Sequence, residues 1–366
     1  MSDTYIVAEI GTAHQGDLKC AKELIQAARE SGADCAKFQY VIADELVHPR
    51  VGSIELPGGL TSIYDRFRDL EQPASFYEEL MALCASADID FLCTAFGIGS
   101  ARALRSLGVG SIKVASPEAN HTELLNEVAT YGIPTILSTG VSSLADIDYS
   151  LSVLGRERVT VLHCVTAYPA PENDYNIAVI PSLSDVLGVP VGLSDHSQDP
   201  VLVPGLAVAA GAVVVEKHFT LSRKGSGLDD PIAQDPTMFT AMAAAIRRID
   251  AILNLDPSCG REKVVQEFRA EYGTSRIENI LGSGAKDVAP AEQANYATTR
   301  RSIIAMRDLA VGQTFRHDDV AALRAEKNMR PGIEPRFLEI VRGAVVAEPV
   351  RAGEGVVWSS VVKKGT

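Results

Sequence analysis

From residue 5 to about 254, short β-branched or apolar runs alternate with stretches of helical period. The runs are Tyr5–Ile10, Cys35–Tyr40, Asp90–Phe96, Ser111–Ser116, Pro134–Thr139, Val159–Val165, Pro190–Asp195 and Val213–Thr220. The helical stretches include Leu18–Ser31, Ser75–Ala87, Thr122–Tyr131, Ser143–Leu154, Ile177–Leu187, Leu202–Ala210 and Pro236–Leu253. Such alternation calls for parallel strands joined by helices that cover the sheet. Several helical stretches close on glycine, Gly32 and Gly188 among them, as a left-handed C-cap prefers. Eight units in about 250 residues match a TIM (β/α)8 barrel. A doubly wound open sheet is the alternative, but no glycine-rich fingerprint follows the first run.

Residues 1–254 therefore read as a barrel domain. Residues 255–299 are richer in charge, Gly and Pro, and read as a linker with some helix around Glu262–Tyr272. From Arg300 the texture changes to short strands and turns, as in Ser302–Met306, Val311-Gly312-Gln313 and Ala344–Val350. Residues 300–366 read as a small, mostly-β module, marginal on its own.

The chain has 366 residues, 46% hydrophobic and 22% charged, enough for a large core and unlike a disordered or fibrous sequence. Lys+Arg 34 against Asp+Glu 47 leaves a net charge of −13. That field repels polyanions, so nucleic acid and anionic membrane are poor partners, and an anionic small substrate needs a local cluster of cations. The uncharged run Pro200–Val215 is too short, and too broken by Pro204, Gly205 and Gly211, to span a bilayer. The first residues show no basic segment followed by a long apolar stretch. Cys20, Cys35, Cys84, Cys93, Cys164 and Cys259 form no CxxC pair and read as free thiols, mostly buried, of a cytoplasmic protein.

In such a barrel the reactive side chains sit at the C-terminal strand ends and in the loops that follow. Those ends carry Glu9 and His14, Lys37 and Gln39, Thr94, Lys113 and Ser116, Ser138, Thr166 and Tyr168, Ser194 and His196, and Glu216 and His218. Residues two apart share a strand face, so Lys37 with Gln39, Ser194 with His196, and Glu216 with His218 are in phase. Any one of them reads as well as a satisfied hydrogen bond or an outward lysine. Eight ends in agreement read as a site, because burying polar groups is costly. His196 and His218 end neighbouring strands about 4.8 Å apart, within reach of one divalent ion that keeps positions open for water and substrate oxygen. Two imidazoles leave Mn, Fe, Co and Zn open, and a core or general-base histidine is the alternative for either. Lys37 and Lys113, with hydroxyls from Thr94, Ser116 and Ser138, make a lining suited to a small anion carrying phosphate and carboxylate. No P-loop is present. His163 reads as structural; His48, His121 and His317, in loops, read as solvated.

On these residues the chain resembles the N-acetylneuraminate (sialic acid) synthase family. The similar segments are Ala8-Glu9-Ile10-Gly11 with His14-Gln15-Gly16, Gly32-Ala33-Asp34 through Lys37-Phe38-Gln39, Lys113-Val114-Ala115-Ser116, and Ile136-Leu137-Ser138-Thr139-Gly140. They continue with His163-Cys164 through Tyr168-Pro169, Gly192-Leu193-Ser194-Asp195-His196 and Glu216-Lys217-His218-Phe219-Thr220. Arg300-Arg301-Ser302 to about Trp358 is similar to the family's C-terminal antifreeze-like domain.

The resemblance implies a TIM barrel followed by a mostly-β antifreeze-like (β-clip) cap. It implies an enzyme that condenses phosphoenolpyruvate with an N-acylated amino sugar; water adds and phosphate leaves by C–O cleavage, giving a nine-carbon sugar acid. By position, Lys37, Thr94, Lys113, Ser116, Ser138 and Ser194 would hold phosphoenolpyruvate, with Gln39, Thr166 and Tyr168 at the pocket. His196 and His218 would bind the divalent metal, Mn2+ foremost, with Mg2+ and Co2+ as alternatives. Glu9 would handle a proton or position the attacking water, and Asp229 would meet the sugar hydroxyls. In that family the cap closes the partner's barrel in a domain-swapped homodimer, and the linker here is long enough for it. A cap arginine would meet the acyl group: Arg324 matches by distance from the preceding strand, and Arg330 is its competitor.

The chain departs from the family at Gln15 for Asn, Pro117-Glu118 for Gly-Asp, Thr166 for Asn or Ser, and Gly227-Leu228-Asp229-Asp230 for Gly-Pro-Asp-His. These lie on the sugar side more than the phosphoenolpyruvate side, so beside N-acetylmannosamine they point to a diacetamido-trideoxyhexose of the legionaminate or pseudaminate type, or another aldose, as the acceptor. Two other readings are a phosphoenolpyruvate-dependent 3-deoxy-aldulosonate synthase and a non-catalytic carbohydrate-binding protein. The first would need extra cations at the acceptor end.

Overall fold

The computed structural model describes residues 3–56, 59–225, 227, 229–326 and 328–361. Its strands are β1 (Tyr5–Gly11), β2 (Cys35–Tyr40), β3 (Ser53–Leu56), β4 (Gly59–Ser62), β5 (Asp90–Ala95) and β6 (Ile112–Val114). They continue with β7 (Thr135–Ser138), β8 (Val159–Cys164), β9 (Val191–Asp195), β10 (Val214–His218), β11 (Arg301–Ala305) and β12 (Val320–Arg324). Eight of these close into a barrel in the order β1-β10-β9-β8-β7-β6-β5-β2, all neighbours parallel. The eight alternating runs of the sequence are its staves.

The two-residue period of a strand explains how the barrel becomes both core and site. Val7, Cys35, Leu92, Leu162 and Val214 fill its lower interior as one apolar cluster, with Ile136 packed against it. Two residues further along each strand, the same inward face carries Glu9, Lys37, Thr94, Cys164, Glu216 and Ser138. An apolar layer thus floors a polar one. Outside, the helices pack their apolar faces onto the staves. Every residue of helix Leu202–Ala209 is buried, which accounts for the uncharged run there. Gly205 permits that burial, since a Cβ would meet the Phe268 ring at 2.5 Å. No helix among the described residues is long and apolar enough to cross a membrane.

Two regions differ from the sequence reading. Between β2 and helix Ala74–Ser86 the chain makes an excursion whose antiparallel β3–β4 hairpin and short helices close over their own core of Val41, Leu46, Val51, Ile63, Tyr64 and Leu70. The stretch from Gly260 to Leu281 is two helices, Gly260–Tyr272 and Thr274–Leu281, rather than a linker with one. Val264, Val265, Phe268, Ile277 and Ile280 join the barrel's outer core.

Residues from Arg301 onward form the cap around the β11–β12 pair and a separate core of Ile303, Leu309, Phe315, Val346 and Val356. It sits over the barrel mouth. That burial corrects two expectations. His48 and His121 are buried, not solvated: His48 Nε2 lies 3.4 Å from the cap's Met306 carbonyl, and His121 is covered beside the cap's Arg301. His317 is exposed and His163 buried, as expected.

Candidate active site at the barrel mouth

One cavity of about 240 Å3 opens at the C-terminal ends of the staves. Glu9, Lys37, Gln39, Thr94, Lys113, Ser116, Ser138, Tyr168, Ser194, His196, His218, Asp229 and Arg324 line it together. Residues from β1, β2, β5, β6, β7, β9 and β10, the loops after them and the cap thus converge on one space. Thr166 is the exception and corrects the sequence reading. Its backbone N–H is drawn to Glu292 at 2.7 Å, and its hydroxyl lies over Gly140, where a Cβ would collide with it. Cys164 takes the wall position instead.

Lys37 and Lys113 are almost fully buried, a state that needs counter-charges. Lys37 Nζ lies 2.7 Å from Glu9 Oε2 and 3.6 Å from Glu216 Oε2; Lys113 Nζ lies 3.8 Å from the same Glu216 oxygen. Lys37 also donates to Thr94 Oγ1 at 3.3 Å, and Lys113 to Ser138 Oγ at 2.6 Å. Burial would lower the Lys37 ammonium, but Glu216 and Glu9 outweigh it and raise it. Burial lowers Lys113, and Lys37 as a like charge adds to this; the more distant Glu216 opposes it without outweighing it. Burial would raise Glu216, but Lys113 and Lys37 hold it down at about 2. Ser194 Oγ donates to the other Glu216 oxygen at 3.0 Å, and Gln39 Nε2 to Glu9 Oε1 at 2.7 Å. The result is two fixed ammonium groups among oriented hydroxyls.

On the other side of the mouth the His196 and His218 rings are 5.4 Å apart between centroids. His196 Nδ1 lies 2.8 Å from the Val165 carbonyl, which leaves Nε2 for the cavity. Its backbone N–H donates to Tyr175 Oη at 2.7 Å, fixing the loop. Tyr168, before a cis Pro169, lays its ring 4.3 Å from His196 and 6.1 Å from His218. His218 Nδ1 is 3.7 Å from Asp229. Burial lowers His218 despite Asp229. Burial would lower His196 too, but Cys164, 3.9 Å from Nδ1, raises it to about 9.

Sequence reasoning missed two parts of this site and left a third without a role: Glu216, seen in phase with His218, is the shared counter-charge. An apolar wall of Val41, Leu46, Phe67, Leu70, Phe96 and Ala115 comes from the excursion after β2 and from the loops after β5 and β6; it carries no motif. Glu292 of the linker is fully buried and accepts the N–H groups of Val141 and Thr166, each at 2.7 Å, and of Ala289 at 3.1 Å. It ties the loop after β8 to the loop after β7, in which Gly140 N–H donates to Ser116 Oγ at 2.9 Å. Of the two cap arginines, Arg324 lines the cavity, while Arg330 donates to the Gly355 carbonyl within the cap.

Comparison with known proteins bears on what this mouth serves. The model of the NeuB family matches residues 24–256, and that of the SAF domain matches residues 300–362. The chain belongs to the NeuB family. It is 33% identical to the spore coat polysaccharide biosynthesis protein SpsE of Bacillus subtilis, over 98% of this chain and 94% of the relative. It is equally 33% identical to the N,N'-diacetyllegionaminic acid synthase of Legionella pneumophila, over the same shares. The crystal structure of the Bacillus subtilis protein superposes with a TM-score of 0.81 at 31% identity, covering 100% of this chain and 96% of that one. The N-acetylneuraminic acid synthetase structure from Leptospira borgpetersenii superposes with a TM-score of 0.63 at 28% identity, over 75% of this chain and 94% of that one.

Proposed function

We propose that this chain condenses phosphoenolpyruvate with an N-acylated amino sugar to give a nonulosonic acid and phosphate. The observation that carries the reading is the pair of buried ammonium groups and oriented hydroxyls facing two imidazoles across one cavity. Lys37, Lys113, Thr94, Ser116, Ser138 and Ser194 would bind the carboxylate and phosphate of the donor, and would stabilise the phosphate as it leaves. Gln39, Tyr168, Asp229 and Arg324 would orient the acceptor. C3 of phosphoenolpyruvate bonds to the acceptor's aldehyde carbon, water adds at C2, and the C2–O bond breaks to release phosphate. Glu9, held by Lys37 and Gln39, would position that water or take its proton.

The residues at the mouth fit a divalent ion. His196 and His218 would hold it, with His196 oriented through the Val165 carbonyl. Among the described residues no group of three or more His, Cys, Asp or Glu could hold a metal; the reading takes the two imidazoles as the ligands, with the other positions left to water and substrate oxygens. When bound, Mn2+, or Mg2+ or Co2+ in its place, supplies a Lewis acid for the aldehyde oxygen.

The cations lining the cavity among the described residues are Lys37, Lys113, Arg324 and the histidines. All three long cations already have carboxylate partners, and the cavity also carries the apolar wall of Val41, Leu46, Phe67, Leu70, Phe96 and Ala115. This favours an unphosphorylated acceptor with an apolar end, such as a diacetamido-trideoxyhexose, over a sugar phosphate. The reading includes a homodimer that exchanges caps, in which the cap contacts form between chains. The test is phosphate release from phosphoenolpyruvate with a panel of N-acyl sugars and Mn2+. Release that depends on acceptor and metal, and that is lost on changing His218→Ala, is expected. No release with any acceptor overturns the reading.

A further inference from the structure

Arg301 of the cap, a fully buried side chain, enters the barrel mouth and bonds to three separate loops. It donates to the Phe96 carbonyl at 2.6 Å, to the Leu46 carbonyl at 3.3 Å and to the Glu45 carbonyl, and through Nε and Nη2 to Glu118 Oε1 at 3.1 and 2.9 Å. Asn120 clasps its backbone from both sides. Glu118, itself fully buried, receives a second guanidinium on the same oxygen: Arg324 donates through Nε at 3.0 Å and Nη2 at 2.6 Å. Arg324 Cζ lies over the Phe96 ring, 5.5 Å from its centroid. One edge of Arg324 is therefore fixed by Glu118 of the barrel, beside Phe96, and the group stands at the cavity wall.

We propose that Glu118 is a positioning residue that aims Arg324 at the acceptor, and that Arg301 holds Glu118 in place, so that the acceptor site is assembled only when the cap is docked. The assignment rests on the proposed function for the identity of the acceptor, but its geometry stands apart from it. Glu118 is the one fully buried carboxylate that both arginines share, and the less buried Glu326 Oε1 lies 3.9 Å from Arg324 Nη1, so the two guanidiniums stand close together beside an acceptor that carries a polar acyl carbonyl. Without Glu118 the two guanidiniums repel each other, and Arg324 loses both hydrogen bonds that set its plane. A fork that loses its orientation no longer matches a carbonyl in a fixed place.

The experiment is a double-mutant cycle with Glu118→Gln and Arg324→Ala, reading KM for acceptor and for phosphoenolpyruvate separately. The Glu118→Gln variant should raise acceptor KM roughly 10-fold or more, with phosphoenolpyruvate KM within about 2-fold of wild type. Added to Arg324→Ala, it should change acceptor KM no further. Equal effects on both substrates, or effects that multiply in the double variant, overturn the proposal. Arg301→Lys, which keeps the charge but loses the fork, should reproduce the selective rise if Glu118→Gln does not fold. A crystal structure of whichever of these two variants folds reads the geometry without turnover: Arg324 should leave the Phe96 face, and a guanidinium that stays in place overturns the proposal. An inactive wild type overturns the proposed function instead, and that structure still decides this assignment.

Discussion

Glu292 gives a sharp test of how the linker supports the site. Its carboxylate accepts three buried N–H groups, from Val141, Thr166 and Ala289. One of them belongs to Val141, a β-branched residue at φ 45°, a conformation that costs about 1–3 kcal/mol and persists only where neighbours hold it. The change Glu292→Leu fills the space, keeps water out and leaves three donors unpaired. At about 1–3 kcal/mol per orphaned donor, three donors cost about 3–9 kcal/mol; less about 1–2 kcal/mol for the added apolar burial, the net loss is about 4–5 kcal/mol at mid-range. Urea unfolding should show a lower midpoint at unchanged slope. The loop after β7 should also relax, weakening the Gly140 to Ser116 hydrogen bond and raising KM for phosphoenolpyruvate several-fold. Unfolding free energy within 0.5 kcal/mol of wild type, together with an unchanged phosphoenolpyruvate KM, would refute the reasoning.

Two further outcomes follow from the buried charges. Lys113→Met removes one of the two cations on Glu216 and the donor to Ser138, and should cut kcat/KM for phosphoenolpyruvate about 10²–10³-fold in steady-state assays; a wild-type value contradicts the role given to Lys113. Burial lowers His14 to about 4 and His163 to about 3, and holds His121, beside Arg301, well below its usual value. As pH falls from 6.5 toward 4 the unfolded chain takes up protons that the folded chain refuses. Stability present above pH 6.5 should therefore be lost at about 1.4 kcal/mol per pH unit for each histidine, and denaturation midpoints that stay flat between pH 7 and 5 would contradict this.

The barrel was legible because a parallel strand buried on both sides leaves a run of branched residues, and eight such runs leave little choice of closure. The floor of the site was legible for a related reason: polar residues recur at strand ends with period two, from Lys37 and Gln39 to Glu216 and His218. What stayed hidden depends on distance along the chain. Glu118 and Arg301 are 183 residues apart, and Glu292 and Val141 are 151 apart, with no local pattern announcing either pair. The apolar wall of Leu46, Phe67 and Leu70 is built by an excursion that resembles an ordinary loop in sequence. His48 and His121 sit in loops, and both are buried where the cap meets the barrel, His48 near Met306 and His121 beside Arg301.

The central claim is that phosphoenolpyruvate loses its phosphate by C–O cleavage in this mouth while its C3 joins an N-acyl sugar. Phosphoenolpyruvate labelled with oxygen-18 at the bridging position, turned over with Mn2+ and a diacetamido-trideoxyhexose, tests it in one measurement. The account predicts that the label leaves in the inorganic phosphate and that the new C2 oxygen of the nine-carbon acid comes from water. Label retained in the sugar acid, or no phosphate released at all, would contradict it.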